Sequence, residues 1–330
     1  MANTMTVLLV AALAVSAGIA DARKEGPGHA SQVRDGTTRS HPNDSRIIDE
    51  INGAGLSWKA GPNPVWEKYG DFDLAHFTGT DLESLGAVAH GIPAVEAAPA
   101  GAAIPESFDA REEFKGYIHP IRNQMRCGSC WAFAAAESLS DRFTIASKGE
   151  VDVVLSPEDL VSCDITDNGC SGGMIPNAWN YLSKTGIVSD KCFPYTAGTG
   201  TAPVCEKKCV DDEDFKKYKA KDPVHLTSVE AIQHAIMTGG PVEAGFMVHK
   251  SFMSYKSGVY QHQWWKVWDA ILGGHAVKIV GWGTEDGLPY WLVANSWSTD
   301  WGEDGYFKIL RGKNECQFES SVFAGTPVLE

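Results

Sequence analysis

All eight cysteines of this chain lie between positions 127 and 316, and nothing restricts its fold more. Whether such a set pairs depends on compartment, because disulfides persist in oxidising surroundings and are rare in the cytosol. The amino terminus speaks to that. Residues 7–15 (VLLVAALAV) form an unbroken apolar run, too short to span a bilayer, and Ala20-Asp21-Ala22 follows as a cleavage-like A-x-A. The run has no Lys or Arg before it. As a buried helix it would have nothing to continue into, since Arg23, Lys24 and a Gly/Pro-containing stretch come next. We therefore read 1–22 as a signal peptide and expect a secreted, lysosomal or vacuolar protein whose cysteines are free to pair.

The rest of the composition excludes more than it suggests. Lys and Arg total 28 against 42 Asp and Glu, a net charge of -14, which disfavours nucleic acid as a partner. After the leader no apolar run is long enough for a membrane span. At 330 residues and 43% hydrophobic, the chain has material for about two folding units.

Residues 23–103 differ from the remainder of the chain. They are polar over 24–45, carry a helix-like patch at Ile47, Ile48 and Ile51, then Trp58 and Trp66, and end in an Ala/Gly/Pro stretch over 86–103 that reads as an exposed, easily cut linker. From 129 to 186 the signals are helical. Phe133, Ala136, Ser140 and Phe143 fall along one side of a helix closed by Gly149, Ser156-Pro157-Glu158-Asp159 is a helix start, and a third helix runs 176–184. From 240 onward GPVEAGFMV, HAVKIVGWG, YWLVAN and GYFKILR read as strands of a curved sheet or barrel. A cleft between two such halves is a natural ligand site.

Cys130 opens the first of these helices. Unpaired N–H groups and the helix dipole lower a thiol's pKa there, and the thiolate is the nucleophilic form. The alternative is a Cys127/Cys130 disulfide or redox pair, although the preceding YIHPIRNQMR is a poor strand for that context. Among ten histidines, His225 and His234 lie in a polar stretch, and His249 and His262 read as surface or structural. His275 starts a strand, and Glu285-Asp286-Gly287-Leu288 is a turn that folds 275 opposite 297, close to Asn295. The hairpin alone thus brings an imidazole and an amide together.

Through Cys127-Gly128-Ser129-Cys130-Trp131, Cys170-Ser171-Gly172-Gly173, Gly274-His275-Ala276, Asn295-Ser296-Trp297 and Trp301-Gly302, the chain resembles the papain-like cysteine proteases. Residues 104–111 (IPESFDAR), 257–262 (SGVYQH) and 289–301, with Trp58-Lys59-Ala60-Gly61, resemble the cathepsin B branch. The resemblance implies an α+β fold of two lobes, a helical one mainly over 120–230 and a β-barrel-like one over 231–330. The site would lie in the cleft of a peptidase domain at 104–330, with 23–103 as propeptide. It implies Cys130 as nucleophile, resting as a thiolate–imidazolium pair with His275. Asn295 would orient the imidazole, Trp297 would cover that bond, and Gln124 would donate to the oxyanion. Gly172, Gly173 and Gly274 would let an extended peptide approach; from sequence alone Gly172-Gly173 is equally an ordinary turn. The partners implied are peptide and protein substrates, the chain's own propeptide and cystatin-like inhibitors, acting on a monomer with no cofactor and no metal.

The resemblance also pairs Cys127 with Cys170, Cys163 with Cys205 and Cys192 with Cys209, leaving Cys316 free. A zinc site from Cys163, Cys170, Cys205 and Cys209 competes, but its spacing is poor. Two departures bear on specificity. Cathepsin B carries a long histidine-bearing occluding loop, whereas only FPYTAGTGTAPV separates Cys192 from Cys205, and no His lies between 192 and 209. Endopeptidase activity with little carboxydipeptidase activity is expected. Ser321 falls where an acid accepts basic P2 side chains, so hydrophobic P2 residues are expected unless Glu319 restores the charge. Other readings are a thiol–disulfide oxidoreductase using Cys127 and Cys130, and a catalytically silent, protease-like binding protein.

Overall fold

Asp44 starts the first helix by accepting the Arg46 backbone N–H, and α1 runs Ser45–Gly53 with Ile51 buried. The computed structural model describes residues 41–70, 73–84, 91–211, 214–264, 266 and 268–329, all within the unit Asp35–Glu330. The leader expected at 1–22 lies outside the described residues. Strand β1 (Trp58–Ala60), helix α2 (Pro64–Glu67) and a 3-10 turn (Leu74–Phe77) follow, each burying an aromatic or leucine side chain. Strand β2 (Ala94–Val95) lies within the expected linker and Ile92 is buried beside it, so the linker is docked at 92–95. Residues 96–103 are largely exposed, and 86–90 lie outside the described residues.

β3 (Phe108–Asp109) and α3 (Ala110–Glu113) lead to α4 (Cys130–Ala146). The one-sided apolar pattern expected for α4 is overturned, since every residue from Cys130 to Thr144 is buried. Neighbouring helices and the sheet surround it; Ser140, Asp141 and Arg142 find partners inside, whereas Ser138 Oγ has no hydrogen-bond partner among the described residues. Ser156 caps α5 (Pro157–Cys163) through Asp159 N–H, with Pro157 at the first position. α6 (Ile175–Lys184) ends at Gly186, whose φ of +80° suits a residue without a Cβ. Then come β4 (Ala220–Leu226), α7 (Val229–Gly239), β5 (Val242–His249), β6 (Tyr255–Tyr260), β7 (Ile271–Glu285), β8 (Leu288–Ala294), β9 (Tyr306–Leu310) and β10 (Val322–Pro327).

The strands pair along the path β1-β6-β9-β8-β7-β5-β10-β4-β2, with β3 against β7. Asp286 and Gly287, both at positive φ, make the two-residue turn between β7 and β8. A register shift between Ile279 and Gly281 then moves β7 by one residue against β8, which sets His275 relative to Asn295.

Two apolar cores correspond to the two lobes. One gathers Phe246, Phe252, Trp297 and Trp301 of the sheet and includes Trp58, Trp66 and Phe77 from the N-terminal segment. The other surrounds α4, α5 and α6 through Trp131, Leu160 and Trp179. Polar ties join the lobes. Lys278 on β7 donates to Asp141 on α4 at 2.7 Å, and the Arg142 guanidinium donates to the carbonyls of Pro241 at 2.7 Å and Gly240 at 2.9 Å.

Candidate active site

Cys130 is the first residue of α4, and the disulfide Cys127–Cys170 fastens the loop before it. Cys163–Cys205 and Cys192–Cys209 are also bonded, while Cys130 and Cys316 are free thiols. These bonds consume every cysteine of the alternative zinc set. They also remove Cys127 as a redox partner for Cys130.

His275 on β7 puts Nε2 2.7 Å from Asn295 Oδ1. An amide oxygen only accepts, so Nε2 carries the hydrogen and Nδ1 presents a lone pair. Among the described residues Nδ1 has no hydrogen-bond partner. Trp297 lies against the imidazole at 4.6 Å between ring centroids, sheltering the His275–Asn295 bond. Gln124 is buried, its Oε1 fixed by Ser296 Oγ at 2.7 Å. Its Nε2 donates to Cys127 O at 3.0 Å and reaches the Phe77 carbonyl at 3.5 Å. Cys130, His275, Asn295 and Gln124 therefore meet at one cleft, although they come from distant parts of the chain.

The N-terminal segment crosses that cleft. Gly79 and Thr80 N–H groups both donate to Gly274 O, Asp81 N–H donates to Gly173 O, and Gly173 N–H donates to Gly79 O. Thr80 Oγ1 lies 3.2 Å from Cys130 Sγ. The glycines are necessary on both sides. A Cβ on Gly79 would stand 2.1 Å from Gly128 O, and one on Gly172 (φ +119°) would meet Gly79 O at 2.7 Å. The sequence offered no periodic signal for this blocking strand. Gly79 is its one local hint.

This cover changes the chemistry. Burial pushes the Cys130 thiol up to about 11, against the Thr80 hydroxyl and the backbone N–H groups of Ala276 and Trp131, which favour the thiolate. Burial likewise pushes His275 down to about 4, outweighing the Asn295 contact. In the covered site burial opposes the charged form of both members of the thiolate–imidazolium pair expected from the resemblance. The neutral forms are favoured there, because two charges would have to form without water.

Next along the segment, half-buried Leu82 converges with Ile175 and Ser321 on Gly245 of β5. A Cβ on Gly245 would lie 2.6 Å from Leu82 Cδ2, 2.9 Å from Ile175 Cδ1 and 3.4 Å from Ser321 Cβ. Ser321 is buried there. Glu319 is engaged elsewhere, accepting from Trp291 Nε1 at 2.9 Å and from the backbone N–H groups of Gly312 at 2.5 Å and Asn314 at 2.8 Å.

Comparison with known proteins agrees with this geometry. Residues 104–326 match the family described as papain family cysteine protease. The chain is 46% identical to Cathepsin B-like CP3 of Giardia intestinalis, over 67% of this chain and 74% of that protein. It is 38% identical to Cathepsin B-like cysteine proteinase 5 of Caenorhabditis elegans, over 98% of this chain and 97% of the other. Among solved structures, proCathepsin B S9 from Trypanosoma congolense superposes with a TM-score of 0.77 at 33% identity, covering 88% of this chain and all (100%) of that one. A digestive procathepsin L2 from Tenebrio molitor gives 0.72 at 29% identity, over 86% and 90%. With its cleft, its thiol and its imidazole in that arrangement, the chain belongs to the papain family of cysteine proteases.

Proposed function

We propose that this chain is the precursor of a secreted cysteine endopeptidase, with residues 23–103 as an intramolecular inhibitor and a signal peptide at 1–22. One observation carries the reading. Residues 79–81 lie extended across Cys130, bonded through backbone to Gly173 and Gly274, so the cleft already holds a peptide main chain beside a thiol.

Once the segment leaves, water and the α4 N-terminus favour the thiolate. The Cys130 proton passes to His275 Nδ1. Sulfur attacks the scissile carbonyl carbon, and its oxygen takes the negative charge, facing Gln124 Nε2 and the Cys130 N–H. The C–N bond then breaks, His275 protonates the leaving amine, and a thioester remains. A water gives its proton to His275 and attacks the thioester. The acid departs, and the proton returns to sulfur. Asn295 keeps the imidazole in the tautomer both steps require.

Leu82, converging with Ile175 and Ser321 on Gly245, supports a preference for hydrophobic P2 side chains. Glu319, already engaged by Trp291 and the backbone N–H groups of Gly312 and Asn314, supports the same preference, since a neutral pocket does not compensate for desolvating a guanidinium. The short, histidine-free stretch from Cys192 to Cys205 supports internal cleavage. The processed enzyme should cut an internally quenched peptide much faster than it releases C-terminal dipeptides. It should also prefer Phe-Arg to Arg-Arg reporters. Dominant dipeptide release, or equal kcat/KM on the two reporters, would refute the corresponding part.

A further inference from the structure

His249 ends β5, His262 lies just beyond β6, and Cys316 sits in the 3-10 turn Glu315–Ser320. Nothing in the peptidase mechanism uses them. One ring nitrogen of each histidine and the Cys316 sulfur lie within 4.8 Å of one another, the one such group of three among the described residues. The imidazoles stack at 4.3 Å between centroids.

Both rings are already oriented from behind. His249 Nδ1 bonds to the Asp269 carbonyl at 3.0 Å, and His262 Nδ1 to Glu315 Oε1 at 2.8 Å. That leaves Nε2 on each ring as the available donor. A carbonyl or carboxylate on the far nitrogen is the usual support for a metal-bound imidazole, fixing tautomer and direction. Cys316 is held in place by a turn in which Asn314, Cys316 and Gln317 all adopt positive φ (50°, 51° and 65°), a conformation that persists only when the surroundings impose it.

We propose that His249, His262 and Cys316 bind a borderline-soft divalent cation, zinc foremost, with water completing a four-coordinate shell. Two imidazoles and a thiolate suit zinc, whereas calcium and magnesium demand oxygen. Donors around tetrahedral zinc stand about 3.3–3.6 Å apart, given its bond lengths, so the three must close by about an ångström. Binding takes Cys316 as thiolate. Its proton, now directed to Glu315 Oε1 at 3.4 Å, is released to solvent, and no electron is exchanged. The ion would pin the residues after β6, where Lys266 pairs with Glu50 of α1. From sequence alone no metal was expected and both histidines read as surface or structural, because the three ligands are far apart in the chain and match no spacing motif.

The test uses the full-length precursor carrying Cys130→Ala, so that Cys316 is the remaining free thiol. Cobalt(II) is the titrant, with zinc(II) as competitor. The expected result is one equivalent of cobalt with a thiolate-to-cobalt charge-transfer band that zinc abolishes. Cys316→Ser should remove the band, and His249→Ala or His262→Ala should weaken binding roughly tenfold or more, with the thermal melt unchanged in the absence of metal. Glu315→Gln should weaken it about tenfold through the imidazole it orients. The proposal is overturned by the absence of saturable binding, by a band that survives Cys316→Ser, or by folded histidine variants that bind as the parent does. Should Cys316→Ser fail to fold, the histidine variants decide alone.

Discussion

A thiol at the first position of a helix feels two opposing influences, and Cys130 shows which one wins. The helix N-terminus favours the thiolate. Burial beneath Thr80 favours the thiol and prevails, holding its pKa at about 11. Cover by the N-terminal segment thus disfavours the thiolate in the assembled cleft. Gln124 allows a sharper test on the processed enzyme. Its amide is fixed by Ser296, so Gln124→Ala should remove one preorganised oxyanion donor and lower kcat by about 10²–10³ with KM little changed. Steady-state kinetics on a Phe-Arg reporter would show it, and a loss under tenfold would remove Gln124 from that role. At this scale the sequence was readable where chemistry is local. Cys130 stands in a short motif at a helix start, and His275 and Asn295 flank one hairpin. Gln124 has no such local mark and entered only through resemblance. The one-residue register shift near Gly281 was equally hidden, because a bulge leaves the alternation of side chains on either side intact.

The elements of the N-terminal segment are held by burial more than by charge. Trp66 on α2 is fully buried, packs on Phe77 and Trp297, and donates its indole N–H to Met253 O at 2.9 Å. Truncating a buried tryptophan costs about 3–5 kcal/mol. A Trp66→Ala prosegment added in trans should thus inhibit the processed enzyme at least about a hundredfold more weakly. Unchanged inhibition would place the binding energy elsewhere.

Charge adds a pH dependence. Glu50 pairs with Lys266, and Asp300 with Lys68. Both carboxyl pKa values are lowered by these bonds from their ordinary 4.5 and 3.8. Their contribution to docking is complete above those ordinary values and disappears as pH falls through the lowered ones. Acid therefore loosens the segment. Both pairs are exposed, so the effect is modest and screened by salt. The double variant Glu50→Gln/Asp300→Asn should flatten the acid limb of prosegment release in low salt; an unaltered limb would assign it to other groups. The helical patch at Ile47, Ile48 and Ile51 and the two tryptophans were visible in the sequence. The charge partners of Glu50 and Lys68 were not, because Lys266 and Asp300 lie some two hundred residues away. For α4 the sequence suggested one apolar side, since Asp141 and Arg142 look like solvent residues until their buried partners are seen.

At the scale of the whole molecule, the proposed mechanism requires α4 and β7 to keep their relative placement, since one carries the thiol and the other the imidazole. The buried Lys278–Asp141 bond at 2.7 Å spans these two elements, and Asp141 also holds His119 at 2.8 Å. Removing one partner of such a pair strands the other charge and costs about 3–5 kcal/mol. Asp141→Ala in the Cys130→Ala precursor should lose stability of that size in urea unfolding. A loss under about 1 kcal/mol would mean that the two cores hold the lobes without it.

In the proposed function Cys130 is a nucleophile kept un-ionised by the chain's own residues 79–81 and released when they leave. The most direct measurement is the pH dependence of Cys130 alkylation by a small haloacetamide, located by peptide mass spectrometry, in precursor and processed enzyme. Slow labelling that rises only in alkali is expected in the precursor, and fast labelling that persists into acid in the processed form. Matching profiles for the two forms, or labelling of Cys316 in place of Cys130, would contradict it.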